Sequence, residues 1–289
     1  MTDPIQHFLT LDDFTPAQLA KLVDDTIASK PAYKANVGAA PLAGQTLALI
    51  FEKPSLRTRV SFEVAMTQLG GATTYLDQST IGLGKREAIK DVARVLGRMC
   101  DGIMARTFSH NSLEILAEYS HVPVINGLTD HSHPCQAMAD LVTIREHCGE
   151  LPGKTLVFVG DGNNVARSLA IGCAKLGMNF KLICPAGYEL EAELFERLGS
   201  DYPAVALSMS NDIADVAGAD AIRAVIDGNL AALRGPAAEP HDPVLVEVLA
   251  ARAREALQKI APLLNERGAA GAVRSCHGDL HLRNICLLD

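Results

Sequence analysis

Two kinds of apolar pattern follow each other along this chain: short runs bounded by turn residues, and longer stretches at helical spacing. Leu19, Leu22, Val23 and Ile27 recur at helical spacing behind Thr15-Pro16, a capping residue followed by a proline suited to a first turn. The run 46–51 predicts a short buried strand, and 55–69 a helix ended by Gly70-Gly71. The alternation continues as strand 72–76, helix 87–99, strand 102–106, helix 112–118, strand 122–126 and helix 136–148. After the turn Leu151-Pro152-Gly153 a second series predicts strands 155–159, 180–183 and 204–208, with helices 165–176 and 189–198. Repetition at this pitch predicts an α/β protein of two doubly wound, parallel-sheet domains with helices on both faces. Three strands leave the second domain incomplete. Beyond Asp220 the pattern is mainly helical to 266, with Pro236, Pro240 and Pro243 separating two runs, and a last apolar run stands at 285–288. The expected division is 1–149, 150–220 and 221–289.

Composition narrows the classes of partner. A chain of 289 residues suits two domains, and 48% hydrophobic against 21% charged residues supports buried cores. The net charge of −8 argues against nucleic acid as partner, though a local arginine pair can still bind a small anion. The seven cysteines (Cys100, Cys135, Cys148, Cys173, Cys184, Cys276, Cys286) are odd in number and scattered, as expected of reduced thiols. The first ten residues lack a basic start followed by an apolar run, and no apolar stretch nears the roughly 20 residues that span a bilayer. The expectation is a cytoplasmic protein with no membrane partner.

Chemistry gathers where predicted strands end. Phe51-Glu52-Lys53-Pro54-Ser55-Leu56-Arg57-Thr58-Arg59 stands at a strand-to-helix junction. Free backbone N–H groups there favour an anion, Ser55 and Thr58 add hydroxyls, and Arg57 can pair with phosphate oxygens. An ordinary capped helix with solvated arginines would look the same. Arg106 ends another predicted strand, where parallel α/β folds place ligands. In His131-Ser132-His133-Pro134-Cys135-Gln136 a histidine donor could polarise a carbonyl and Gln136 could bond an amide. The same string could be a helix cap, or part of a metal set from His131, His133 and Cys135, although no second ligand cluster accompanies it. Gly160-Asp161-Gly162-Asn163-Asn164 invites a dinucleotide reading, but Val165 replaces the third glycine and Leu182-Ile183-Cys184-Pro185 offers no acidic residue for a ribose. Asn163 and Asn164 could bond an amino acid or cap the helix.

Together these segments resemble the carbamoyltransferase superfamily, and within it the ornithine carbamoyltransferases. The resemblance rests on 51–71, 84–99, 104–110, 122–146 and 158–169, in order, and covers roughly residues 10–220. It implies that Ser55, Leu56, Arg57, Thr58, Arg106, His133 and Gln136 bind carbamoyl phosphate, with Arg106, His133 and Thr58 stabilising the tetrahedral oxyanion. Leu56 departs from the threonine commonest there; a backbone contact survives that change. Asn164 matches an asparagine that contacts ornithine, and the Asp-Gly-Asn-Asn-Val run favours ornithine over aspartate. The 81–86 loop resembles a segment lent to a neighbouring subunit, which implies a homotrimer. The implied reaction, in arginine biosynthesis, needs no cofactor and no metal.

Past Asp220 the resemblance stops. The family's ornithine-binding Asp and Ser-Met-Gly segment, its His-Cys-Leu-Pro segment and its returning C-terminal helix have no counterpart in this chain. Val273-Arg274-Ser275-Cys276-His277-Gly278-Asp279-Leu280-His281-Leu282-Arg283-Asn284-Ile285 instead resembles the catalytic loop of aminoglycoside-phosphotransferase-like kinases. That resemblance implies a base at Asp279 and a magnesium ligand at Asn284, but a second metal-binding aspartate and an ATP lobe are missing. Cys276, His277, His281 and Cys286 could also suggest zinc, but the kinase-like loop explains the histidine and aspartate better, so no metal is expected. Three functions are therefore weighed: ornithine carbamoyltransferase, a non-catalytic carbamoyl-phosphate binder, and a phosphotransferase. A three-stranded second sheet is expected to expose apolar surface.

Overall fold

The structure, a computed structural model, describes residues 7–34, 40–211, 223, 227 and 243–269. These fall into two compact units, 1–142 with 163–176, and 143–162 with 177–289. The predicted helical run before residue 243, the kinase-like segment and the last apolar run lie largely or wholly outside the described residues.

The first unit is built on four parallel strands in the order β2-β1-β3-β4: β1 Thr46–Phe51, β2 Ala72–Asp77, β3 Gly102–Arg106 and β4 Val124–Leu128. Successive side chains of β1 point to opposite faces. Ala48 and Ile50 join Ile103, Ala105 and Val124, and are covered by Val92 and Ala93 of α4 (Ile89–Met99) and Leu113 and Leu116 of α5 (His110–Ser120). Leu47, Leu49 and Phe51 join Met104 on the other face, under Phe62 and Met66 of α2 (Leu56–Gln68). Both faces of the sheet are thus apolar, so its strands read as continuous hydrophobic runs. Helix α2 ends as the glycines require: Gly70 adopts φ +84°, and Gly71 N–H donates to the Met66 carbonyl at 2.8 Å. Helices α4 and α5 approach so closely that a β-carbon on Gly97 would lie 1.7 Å from the Ser120 carbonyl oxygen.

Helices α1 (Pro16–Lys34) and α3 (Gln78–Ile81) complete this unit, with α7 (Asn164–Lys175). Lys175 is buried in α7, and its ammonium donates to the Asp12 and Phe14 carbonyls at 2.7 Å each. Those bonds hold the 3₁₀ turn Leu11–Asp13, which the apolar pattern does not predict. Gly172 lets α7 approach Leu11 and Leu141, the latter on α6 (Pro134–Cys148).

The second unit carries β5 (Thr155–Val159), β6 (Asn179–Ile183) and β7 (Leu207–Ser210), parallel and in that order, with α8 (Ala192–Asp201) and α9 (Pro243–Ala269). Val246, Ala250 and Leu257 form the buried stripe of α9. Among the described residues β5 is a sheet edge, and Val157 and Val159, on one face of it, are 48% and 53% exposed. Exposed apolar edges promote association between chains. The double change Val157→Thr with Val159→Lys should lower light scattering on heating, at unchanged secondary structure by circular dichroism. Unaltered scattering would show that this edge does not drive association.

Several boundaries differ from expectation for local reasons. Strand β4 starts at Val124 rather than at residue 122, because Pro123 has no N–H to give the ladder, and it extends to Leu128. Helix α8 starts three residues late, because Glu189 Oε2 accepts Gly187 N–H and its Oε1 accepts Asn211 Nδ2. Strand β7 starts late because a turn closes there, with Val205 N–H donating to the Tyr202 carbonyl.

Candidate active site

Strands β1, β3 and β4 are neighbours, so their carboxyl ends open onto one place. Phe51 and Arg106 pair in register, and Glu52 N–H donates to the Arg106 carbonyl at 2.9 Å. Between Ala105 and Arg106 the pairing with β4 slips, so that Arg106 stands opposite Leu128. Such an irregularity re-aims the side chain that follows it. Arg106 reaches across to the start of α2, where Nη1 donates to Thr58 Oγ1 at 3.2 Å.

Ser55 is the N-cap of α2, in extended conformation, accepting Thr58 N–H at 3.4 Å while its hydroxyl lies 3.0 Å from Thr58 Oγ1. Leu56 is 80% exposed, an unusual position for leucine, at the first turn where backbone N–H groups have no intrahelical acceptor. Arg57 is also exposed and lies close enough to Arg106 for its charge to be felt. Burial chiefly, and Arg57 next, lower the proton affinity of Arg106; a guanidinium remains charged despite this. Two cations at the positive end of a helix repel each other, and an anion between them relieves that repulsion.

The third strand tip brings His133. Burial first, and the Arg106 charge second, push its pKa down to about 4, so the ring is neutral at pH 7. His133 Nδ1 and Arg106 Nε are buried with no hydrogen-bond partner among the described residues. Buried orphans of this kind call for a partner, and both belong to the same cluster. The histidine also makes stability depend on pH. An unfolded chain takes up a proton on His133 near the ordinary 6.5, whereas the fold holds the ring neutral down to about 4. Its contribution is therefore complete above 6.5 and disappears as pH falls from 6.5 towards 4. Melting temperatures between pH 4 and 8 should fall less steeply on the acid side for His133→Gln than for the parent; equal slopes would contradict the assigned burial.

Gln136, in the first turn of α6, donates its amide N–H to Asp140 at 2.9 Å, which fixes the side chain. Asn163 caps α7, its Oδ1 accepting Val165 and Ala166 N–H at 2.9 and 3.1 Å. Asn164 Nδ2 donates to the Thr129 carbonyl at 2.6 Å, which ties it to the loop bearing His133. Gly162 permits a close backbone approach, but to the chain's own Tyr188, whose carbonyl accepts Gly162 N–H at 2.7 Å. The space a dinucleotide pyrophosphate would need beside that glycine is taken by the protein itself.

The three members of the suggested metal set point to different places. His131 lies tilted against His110 with ring centroids 4.9 Å apart, Cys135 Sγ donates to the Asn126 carbonyl, and His133 lies near enough to Arg106 to feel its charge. The apolar pattern gives no sign of the residues that brace the site from outside. Glu52 accepts Phe108 N–H at 3.0 Å, and Lys53 pairs with Asp130 while lying over the Phe108 ring. The clue available in sequence is their position, each within a few residues of a strand tip.

A helix start with two guanidiniums, a hydroxyl pair and a neutral buried histidine can hold a small anion. The chain belongs to the aspartate/ornithine carbamoyltransferase family: the model of its carbamoyl-phosphate-binding domain matches residues 6–146, and that of its aspartate/ornithine-binding domain residues 152–225. Among its relatives is the ornithine carbamoyltransferase of Agrobacterium fabrum, 48% identical over 75% of this chain and 71% of that protein. The enzyme of Rhizobium johnstonii is 51% identical over 64% of this chain, which spans 60% of that relative's length. Of solved structures, ornithine carbamoyltransferase from Pyrococcus furiosus superposes with a TM-score of 0.70 at 42% identity, covering 74% of this chain and 69% of that one. The catalytic subunit of aspartate transcarbamoylase from M. jannaschii gives 0.65 at 27%, over 73% and 70%.

Proposed function

We propose that this chain transfers the carbamoyl group of carbamoyl phosphate to the δ-amine of ornithine, giving citrulline and phosphate, a step of arginine biosynthesis. The observation that carries the reading is the pair of buried orphan atoms, Arg106 Nε and His133 Nδ1, beside the capped start of α2. Ser55, Thr58, Arg57 and the backbone N–H of Leu56 hold the phosphate. Arg106, Thr58 and His133 surround the carbonyl oxygen, and the Gln136 carbonyl accepts from the carbamoyl NH₂. Asn164 contacts ornithine.

The neutral amine attacks the carbonyl carbon, forming a C–N bond and a tetrahedral oxyanion. Charge grows on that oxygen, and donors already aimed at it stabilise the transition state more than the substrate. Collapse breaks the bond from carbon to the phosphate oxygen, and the nitrogen gives up its extra proton to the departing phosphate. A histidine held neutral by burial can donate to the oxyanion without adding a cation that would repel the arginines. The chemistry calls for no cofactor and no metal. In this reading 1–149 is the carbamoyl-phosphate domain and 150–220 a partial ornithine domain, the enzyme acts in the cytoplasm, and the 81–86 loop serves a neighbouring subunit of a homotrimer.

Citrulline formed from carbamoyl phosphate and ornithine tests this reading. Calorimetric binding of carbamoyl phosphate without citrulline would make the chain a non-catalytic binder. ATP consumption dependent on an acceptor alcohol would point to the kinase-like segment instead.

A further inference from the structure

Four polar side chains are buried where the loop after β4 meets the start of α7: Asn126, Thr129, Ser132 and Ser168, none more than 2% exposed. Burying a hydroxyl is costly unless its hydrogen bonds are remade inside. Ser168 lies one helical turn after Asn164. Its Oγ donates to the Asn164 carbonyl at 2.8 Å, accepts His133 N–H at 3.0 Å, and lies 3.1 Å from Ser132 Oγ. With Ser132 donating, the single proton and both lone pairs of Ser168 are used.

The bonds close into a ring. Asn164 Nδ2 donates to the Thr129 carbonyl at 2.6 Å, Thr129 N–H to the Ser132 carbonyl at 2.9 Å, and Ser132 N–H back to Thr129 Oγ1 at 3.1 Å. Asn126 Nδ2 adds a bond to the Ser132 carbonyl at 3.3 Å, and His110 Nδ1 lies 2.9 Å from Thr129 Oγ1. His133 and Asn164 are thus linked by one closed circuit through Ser168, in which Asn126 Oδ1 has no partner among the described residues. A serine that bonds back to its own helix does not strengthen the helix. What the Ser168 hydroxyl adds to the Asn164–Thr129 bond is a second tie to that loop, made directly to His133 N–H.

We propose that Ser168 is a positioning residue that locks His133, at the carbamoyl end of the site, to Asn164, at the acceptor end, so that the two act as one unit. The proposal rests on the roles given above to those two residues; Ser168 itself touches neither substrate. Groups held in one geometry by such a circuit lose their effects together rather than additively.

The test compares citrulline kinetics of the parent, Ser168→Ala, His133→Gln and the double variant, and follows the His133 ring and Asn164 side-chain amide by NMR. Ser168→Ala should lower kcat by about 10–100-fold while moving the KM for carbamoyl phosphate less than about threefold, because the phosphate contacts lie on α2. In the His133→Gln background the same change should cost less than about threefold. Both NMR signals should shift in Ser168→Ala. Ser168→Cys, which keeps the volume but bonds weakly, should show the same split if the alanine variant does not fold. Additive losses, an unchanged kcat, or an Asn164 amide that stays put while His133 moves would overturn the proposal. A parent chain that makes no citrulline would defeat the functional reading instead, and the paired NMR shifts would still decide the role of Ser168.

Discussion

Arg106→Met is expected to lower kcat/KM for citrulline formation by about 10³ or more, at a melting temperature equal to or above that of the parent. The two halves of this expectation come from one arrangement. Arg106 reaches Thr58 from the β3 tip, and its Nε is buried without a partner among the described residues. In the proposed reading Arg106 is an oxyanion donor; removing one such donor typically costs about 10²–10³ in rate, and loss of its positive charge adds to that. A factor of 10³ corresponds to about 4 kcal/mol of transition-state stabilisation. The folded chain, in contrast, holds Arg106 half-buried beside Arg57, an arrangement that lowers its affinity for a proton. Methionine fills similar volume without the charge, so stability should not fall. Arg106→Lys should also be poorly active, since an ammonium lacks the planar fork that reaches two oxygens. Steady-state kinetics and thermal melts check both parts. A stable variant with near-parental kcat/KM would remove Arg106 from the mechanism.

The largest effect on stability is expected far from that cluster, at Gly97. A β-carbon there would sit 1.7 Å from the Ser120 carbonyl oxygen and 2.7 Å from its carbonyl carbon. Both clashing atoms belong to backbone, so no side-chain rotation can relieve them. Helices α4 and α5 must separate, and with them the contacts of Val92, Ala93, Leu113 and Leu116 on one sheet face. Overpacking a core usually costs about 1–3 kcal/mol, and a clash between two backbones belongs at or above the upper end of that range. Gly97→Ala should therefore show a large fall in denaturation midpoint. Gly199→Ala, at a helical glycine with no atom within 4 Å of the added carbon, should change it little or raise it. A Gly97→Ala protein as stable as the parent would mean that α4 and α5 do not pack as described.

Much of this architecture can be read from local pattern. Strands β1, β3 and β5 begin and end at the residues their apolar runs predict, because each is flanked by turn residues or charges and packs within a parallel sheet. The Ser55 cap and the Gly70-Gly71 stop of α2 are equally local, and the structure shows both. The meeting of Thr58, Arg106 and His133 is partly legible, since Arg106 ends its strand, the other two follow strand ends, and carboxyl ends of neighbouring parallel strands face one way. What local pattern does not contain is the order of the strands. Only when β1 and β4 flank β3 does a shared site follow. The hydrogen-bonded circuit through Ser168 is invisible for the same reason, because its partners are 35 and 36 residues away in sequence. The late start of α8 likewise comes from a distant partner, Asn211, bonding to Glu189.

The most direct measurement is a crystal structure of the protein with carbamoyl phosphate bound. The phosphate should lie at the start of α2 on Ser55, Arg57 and Thr58, with the carbonyl oxygen within hydrogen-bond distance of Arg106 and His133. Density for the ligand away from those residues, or strand tips too far apart to touch one molecule, would contradict the assignment.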